Sequence, residues 1–201
     1  SDTWSGSQRA TITYGQGVST TAVQVTNVFQ AIANDGVRIS PTFVKETSDG
    51  EGGWDPAPAG KRTQAVSKGT ANEVARMLEG VVSDEGTAPQ AKIKGYRVAG
   101  KTGTADRYDD RVGRYSGKTA CFIGMAPADD PEIVVTVIVQ NPRADIWGGT
   151  VAAPIFKDVA TFALAELAIP PTGTEPAELQ LVLDEPPAKD DPRVLGAQYI
   201  P

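Results

Sequence analysis

Lysine, threonine, glycine and threonine follow one another at Lys101, Thr102, Gly103 and Thr104, inside a stretch, 96–105, that reads as a β-strand. A glycine within a strand marks a place where something must come close to the backbone. A strand edge carrying an ammonium, two hydroxyls and an unobstructed backbone suits a carboxylate attached to an extended peptide carbonyl. An exposed Lys and Thr on an ordinary edge strand would look the same, and the four residues alone leave both readings open.

The rest of the composition narrows the chemistry. There is no histidine and a single cysteine, so neither a Ser-His-Asp nor a Cys-His nucleophile pair can be assembled from this chain, and the usual His and Cys zinc sites are excluded with them. Acyl chemistry on this scaffold would need a Lys or Tyr for its proton transfers. No metal and no cofactor is expected. The cluster Asp106, Arg107, Tyr108, Asp109, Asp110 and Arg111 could be taken for an acidic metal site, but polar residues in a turn between strands are ordinarily solvated. Cys121, within an apolar run, reads as a small buried hydrophobe. Trp54 and Trp147 are expected to be partly buried. The formal net charge of −6 comes with no basic run able to follow a phosphate backbone, so nucleic acid is not an expected partner. No stretch approaches the ~20 apolar residues of a membrane span.

Several elements must position the motif. Residues 21–34 form a helix with Ala22, Val25, Phe29 and Ile32 on a face expected to be mostly buried, Thr20 or Thr21 as its cap and Gly36 just past its end. An extended run at 37–45 precedes a Gly- and Pro-rich loop at 48–61. A second helix starts at Thr70, where Thr70 and Glu73 have capping-box spacing, and passes through Val74, Leu78, Val81 and Val82 to Gly86. Strands at 96–105, 119–125 and 133–140, joined by a charged turn at 106–118 and a short turn at 128–131, make an antiparallel meander. A final amphipathic helix, 152–168, is expected to lay Ile155, Phe156, Val159, Phe162, Ala163 and Leu167 on that sheet. The domain therefore spans residues 1–169, followed by a Pro-rich tail, 170–201, with one possible strand at 179–183. The fold class is mixed, α+β, with helices on an antiparallel sheet.

The block 86–105, GTAPQAKIKGYRVAGKTGTA, resembles the one that leads into the third active-site motif of class B penicillin-binding proteins, the monofunctional transpeptidases of cell-wall synthesis. Residues 123–128 with 134–142 resemble the family's next hairpin, and 148–157, GGTVAAPIFK, resembles the entry to its last helix. Upstream, 14–17 and the helix ending at 33–36 are similar to the segment after the second motif. The similarity covers about residues 12–167 and is nearest to the division-associated, FtsI-like branch, although elongation enzymes share most of the blocks.

The resemblance implies a penicillin-binding, β-lactamase-like fold: a five-stranded antiparallel sheet with helices on both faces, of which this chain supplies three strands. It implies a serine nucleophile from an SxxK motif and an SxN motif, neither of which occurs here; both are expected earlier in the polypeptide, so the isolated chain should be inactive. Lys101 and Thr104 would be catalytic, Thr104 through its backbone N–H in the oxyanion hole. Lys101, Thr102, Gly103 and Thr104 would bind substrate. Expected partners are the peptidoglycan stem peptide, β-lactam antibiotics, the N-terminal half of the same polypeptide, and the division or elongation machinery. The domain would lie on the outer face of the bacterial cytoplasmic membrane, held by an anchor outside these residues. A β-lactam sensor or β-lactamase-related domain, or a non-catalytic scaffold, is the alternative.

Overall fold

The computed structural model describes residue 6, residues 8–15 and residues 17–176; the strand expected at 179–183 falls outside them. The chain groups into two compact units, one of residues 21–177 and one of residues 1–20 with 178–201. In the latter, α1 (Gln8–Thr11) runs into a 3-10 turn, Ile12–Tyr14, where the Thr13 hydroxyl donates to Ala10 O at 2.6 Å.

Within residues 21–177, α2 (Ala22–Ala33) begins as its sequence directs. The Thr21 hydroxyl accepts from the Gln24 N–H, and the Gln24 side chain accepts from the Thr21 N–H, which closes a capping box. Gly36 takes φ +81° beyond the helix end, a backbone setting that favours glycine. The expected face is less buried than its pattern suggested: only Ala31 is fully enclosed, Val25, Phe29 and Ile32 are half-buried, and Ala22 is exposed.

Two small sheets follow. Strand β1 (Val37–Ile39) pairs with β4 (Arg62–Gln64), and β2 (Glu46–Ser48) pairs with β3 (Trp54–Pro56), both antiparallel. The expected loop at 48–61 thus contains most of a hairpin, whose turn is built on Asp49 accepting from the Glu51 and Gly53 N–H groups. Helix α3 (Lys68–Glu79) starts two residues before Thr70 because Ser67 is the cap, its hydroxyl accepting from the Thr70 N–H at 3.1 Å. It ends in a 3-10 turn, Gly80–Val82.

The central sheet is the meander expected, β5 (Ala99–Asp109), β6 (Arg114–Ala126) and β7 (Ile133–Gln140), in the order β5-β6-β7 with both pairs antiparallel. Its first hairpin is longer than the charge pattern indicated. Pairing continues through Asp106↔Lys118 and, after a bulge, Tyr108↔Tyr115, so only residues 110–113 form the turn. Beyond the core these strands are held by cross-strand side chains: Lys118 meets Asp106 at 2.6 Å, and the Tyr108 and Tyr115 rings pack edge to face at 5.5 Å.

Helix α4 (Gly148–Glu166) covers one face of this sheet, and α2 and α3 cover the other. The first side is built from Phe122, Phe156, Leu164, Ala152, Ala153, Ala160, Val82, Ile93 and Val98, the second from Ala99, Met125 and Ala128 with Ile32, Ala75 and Leu78. The row of α4 on the sheet is Ala152, Ala153, Phe156, Ala160 and Leu164, a correction to the face expected. Phe156 is enclosed as foreseen, but Ile155, Val159, Phe162 and Leu167 are 43%, 46%, 70% and 60% exposed. The alanines let the helix sit close, and the Phe156 ring fills the space a Cβ at Gly124 would need.

Between α3 and β5 lies a largely enclosed ion pair, Glu79 buried and Arg97 partly so, that the sequence pattern did not announce. Arg97 grips Glu79 with two hydrogen bonds, Nε to Oε2 at 2.8 Å and Nη2 to Oε1 at 2.7 Å. Hydrogen bonding to Glu79 raises the Arg97 guanidinium above its ordinary value despite the opposing effect of burial. Arg97 Nη1 also reaches Thr174 at 3.2 Å, while its carbonyl accepts from the Ala128 N–H at 2.9 Å. The start of β5 is thereby tied to the end of α3. Glu79→Ala removes both hydrogen bonds between the two side chains and leaves the guanidinium, among the described residues, only its longer ion pair with Asp129, Nη1 to Oδ2 at 3.8 Å. It should therefore lower stability by about 2–3 kcal/mol in urea unfolding of the intact protein. Lys68→Ala, which removes an exposed pair with Asp35, should change it by less than about 1 kcal/mol.

Candidate active site

Lys101, Thr102, Gly103 and Thr104 all lie on β5, the strand at one edge of the three-stranded sheet. Residues directly opposite in an antiparallel pair share a face, and neighbours alternate. Thr102 opposes Phe122 and Thr104 opposes Ala120. Because the Phe122 ring packs on Phe156 of α4 at 4.8 Å, both threonines belong to the α4 side. Lys101 opposes Ile123 and Gly103 opposes Cys121, which places them on the side of α2 and α3. The lysine nonetheless reaches back: its Nζ lies 3.0 Å from Thr102 O and 3.4 Å from Thr102 Oγ1. The ammonium thus curls around the strand to the hydroxyl side.

Each threonine hydroxyl has a fixed partner. The Gly148 N–H, first in α4, donates to Thr104 Oγ1 at 3.1 Å, and Thr87 Oγ1 lies 3.0 Å from Thr102 Oγ1. The glycine pair that opens α4 makes this possible. A Cβ at Gly148 would collide with the carbonyl oxygens of Cys121 and Gly103, and one at Gly149 with the Thr87 carbonyl. Thr87 and the Gly148-Gly149 pair are the residues whose contacts with the motif individual residue types did not reveal. The signal available was their place in the two blocks flanking it.

Gly103 has a steric reason for being glycine besides an open edge: an added Cβ would stand 2.5 Å from Cys121 Sγ. Cys121 is half-buried rather than enclosed. Burial pushes its thiol above the ordinary value, an effect that the Lys101 charge and the Gly103 backbone partly oppose.

The acidic cluster lies farther along the same hairpin. Asp109 is buried, and its carboxylate accepts from the Arg111 N–H at 3.1 Å and Nε at 3.4 Å and from Arg107 Nη1 at 3.3 Å. Hydrogen bonds from the Arg111 side chain and backbone hold it below the usual carboxylate range. Asp106 is engaged by Lys118. Both tryptophans are more exposed than expected, Trp54 at 66% on β3 and Trp147 at 60% as the residue immediately before α4. A separate cleft of about 460 Å³ is lined by Asp35, Lys68, Arg76, Glu79, Arg97 and Asp129, among others, and does not include the motif.

Comparison with known proteins decides the family. The profile of the penicillin-binding protein transpeptidase domain matches residues 1–161. This chain belongs to that family. It is 38% identical over 179 residues to the penicillin-binding protein PbpB of Mycobacterium tuberculosis, covering 84% of this chain and 26% of the relative. It is 41% identical over 175 residues to the stage V sporulation protein D of Bacillus subtilis, covering 82% and 26%. Among solved structures, penicillin-binding protein 3 of M. tuberculosis, complexed with aztreonam, superposes with a TM-score of 0.77 at 36% identity, over 90% of this chain and 42% of that one. The chain thus spans about a quarter of the curated relatives it matches, and the helix-on-both-faces fold expected of the family is the one found.

The Gly148→Ala variant should push the head of α4 off the β5–β6 pair, with a loss of about 1–3 kcal/mol in urea unfolding. Gly69→Ala, at a helical position whose nearest neighbour would be Ser67 Oγ at 3.9 Å, should be neutral or stabilising by up to about 1 kcal/mol.

Proposed function

We propose that this chain forms one wall of the active site of a serine D,D-transpeptidase that cross-links peptidoglycan stem peptides, in a septal role. The observation that carries the reading is the convergence at one strand edge of the Lys101 ammonium and the Thr102 and Thr104 hydroxyls. Among the described residues no carboxylate pairs with these donors, and such a set suits the terminal carboxylate of a stem peptide or of a β-lactam. Family membership supplies the rest of the argument.

In this mechanism Lys101 is a point charge that orients the carboxylate, Thr102 and Thr104 donate hydroxyl hydrogen bonds to it, and Gly103 keeps the approach clear. The nucleophile is a serine from another part of the polypeptide, since no Ser-x-x-Lys and no Ser-x-Asn occurs here. Its hydroxyl adds to the carbonyl of the penultimate D-alanine while the Thr104 N–H helps to hold the developing oxyanion. The amide bond to the terminal D-alanine breaks and the proton passes to the departing amine. The acyl ester is then taken by an amine of a neighbouring stem. A β-lactam acylates the same serine by opening its ring amide, in keeping with a relative solved with aztreonam.

The remainder of the polypeptide is proposed to cover the outer stripe of α4, Ile155, Val159 and Phe162, and to extend the sheet. The substrate places the domain outside the cytoplasmic membrane. Among the described residues no helix is long and apolar enough to cross one.

A fluorescent penicillin tests the proposal. The full-length protein should be labelled covalently, and Lys101→Ala should slow acylation by roughly 10- to 100-fold, as expected for loss of a charged hydrogen-bond donor. The isolated 201-residue chain should stay unlabelled; its covalent labelling would contradict the placement of the nucleophile.

A further inference from the structure

We infer that Thr87 is a positioning residue for carboxylate recognition: acting through Thr102, it fixes which way that hydroxyl points its proton. The inference rests on the transpeptidase reading and adds to it a residue outside the Lys-Thr-Gly-Thr motif.

Thr87 is held on both sides. Before it, the Gly86 N–H donates to Ser83 O at 3.1 Å, and after it the Ala88 N–H donates to Val81 O at 2.9 Å. Gly86 itself presses on the carbonyls of Gly80 and Val81, where a Cβ would collide, and Ala88 is fully buried. The Thr87 carbonyl rests against Gly149 of α4. With its backbone pinned at these points, Thr87 has little freedom except the torsion that aims its hydroxyl, and that hydroxyl lies 3.0 Å from Thr102 Oγ1. Thr102 is ordered in turn, because its Cγ2 methyl faces Gly149, 3.7 Å from where a Cβ would stand there. Methyl and hydroxyl therefore cannot exchange places without losing one contact or the other.

Donor counting then sets the polarity. Lys101 Nζ, 3.4 Å from Thr102 Oγ1, can only donate, so it takes one lone pair of that oxygen. If Thr87 donates into the other, the single Thr102 proton is free for an incoming group. A carboxylate, which can only accept, selects this arrangement. The relay runs from the Thr87 O–H to Thr102 Oγ1 and from the Thr102 O–H to the anion. Thr104 is prepared in the same sense, since the Gly148 N–H donates to its oxygen. An uncharged ligand end such as an ester, whose oxygens are weaker acceptors than a carboxylate's, gains much less from a strip of oriented donors.

The experiment uses the full-length protein, benzylpenicillin and its methyl ester, and measures second-order acylation rates for wild type, Thr87→Val and Thr87→Ser. Thr87→Val keeps the side-chain shape and removes the hydroxyl; it should cut the rate with the free acid about tenfold, mainly through weaker initial binding, and leave the ester rate within about twofold. Thr87→Ser should restore the acid rate. In a Thr102→Val background, Thr87→Val should have no further effect. Should Thr87→Val fail to fold, Thr87→Ala serves in its place. An equal fall for acid and ester, an unchanged acid rate, or full additivity with Thr102→Val overturns the inference while the transpeptidase reading stands. A wild-type protein acylated by neither compound overturns both.

Discussion

The site depends on how closely α4 can approach the β5–β6 pair. Gly148 and Gly149 carry no side chain, so the first turn of the helix rests directly on the carbonyls of Gly103, Cys121 and Thr87. That contact brings the Gly148 N–H to Thr104 and sets the Thr87 segment beside Thr102. The first N–H groups of a helix have no partner within it and carry its partial positive charge. Here one of them is satisfied by a threonine oxygen on the strand, and the positive end of the helix comes to lie beside the hydroxyls. The sheet-facing row of alanines and Phe156 transmits the same demand along the helix, since a larger side chain at Ala152, Ala153 or Ala160 would lift α4 and its N-terminus together.

The opposite face of the strand is governed by a different constraint. Lys101 and Gly103 lie on the side of α2 and α3, where the space beside Gly103 is taken by Cys121 Sγ. A four-atom lysine stem is long enough to turn around the strand edge and reach the Thr102 carbonyl and hydroxyl. The motif therefore uses both faces of one strand: hydroxyls from one side and an ammonium from the other meet at the open edge. The Arg97–Glu79 pair ties the beginning of β5 to α3, and the long hairpin prolongs its far end, so the four residues sit in the middle of a strand held at both ends.

Much of this was legible in the residues. The three core strands, the helix at 21–34 with a threonine cap and the position of the motif followed from β-branched runs, the apolar face with Thr20 or Thr21 before it, and the glycine inside a strand; the Gln24 half of the capping box emerged only in the structure. What misled was local composition. Residues 106–118 look like a loop because they are charged, yet their pairing is maintained by Lys118 with Asp106 and Tyr108 with Tyr115 rather than by burial. The amphipathic pattern places the start of α4 at 152, four residues late, because Gly148 to Val151 add no apolar periodicity to it, and the pattern assigns its face mainly to the larger apolar side chains when close packing required the smallest. Ser67, one turn ahead of Glu73's partner position, capped α3 in preference to Thr70. The Thr87–Thr102 contact joins residues from separate segments, so no periodicity encodes it. Resemblance to the family marked the flanking blocks as important without saying what they touch.

A transpeptidase must distinguish an anionic peptide end from the many neutral amides around it, and a positive charge alone does this weakly in water, where two unit charges 4 Å apart gain only about 1 kcal/mol. Hydroxyls whose protons could point anywhere would add little, because each can accept as readily as it donates. Orienting them changes the balance. The Gly148 N–H and the Lys101 ammonium each occupy one lone pair of a threonine oxygen, and in the relay proposed above a proton donated by Thr87 fills the other on Thr102, which leaves the Thr102 proton for an incoming acceptor. On the proposed reading, the close contacts of Gly148, Gly149 and Thr87 serve recognition as well as packing: they bias an ambivalent pair of side chains toward donating, and the selectivity of the strand edge would follow from how it is packed.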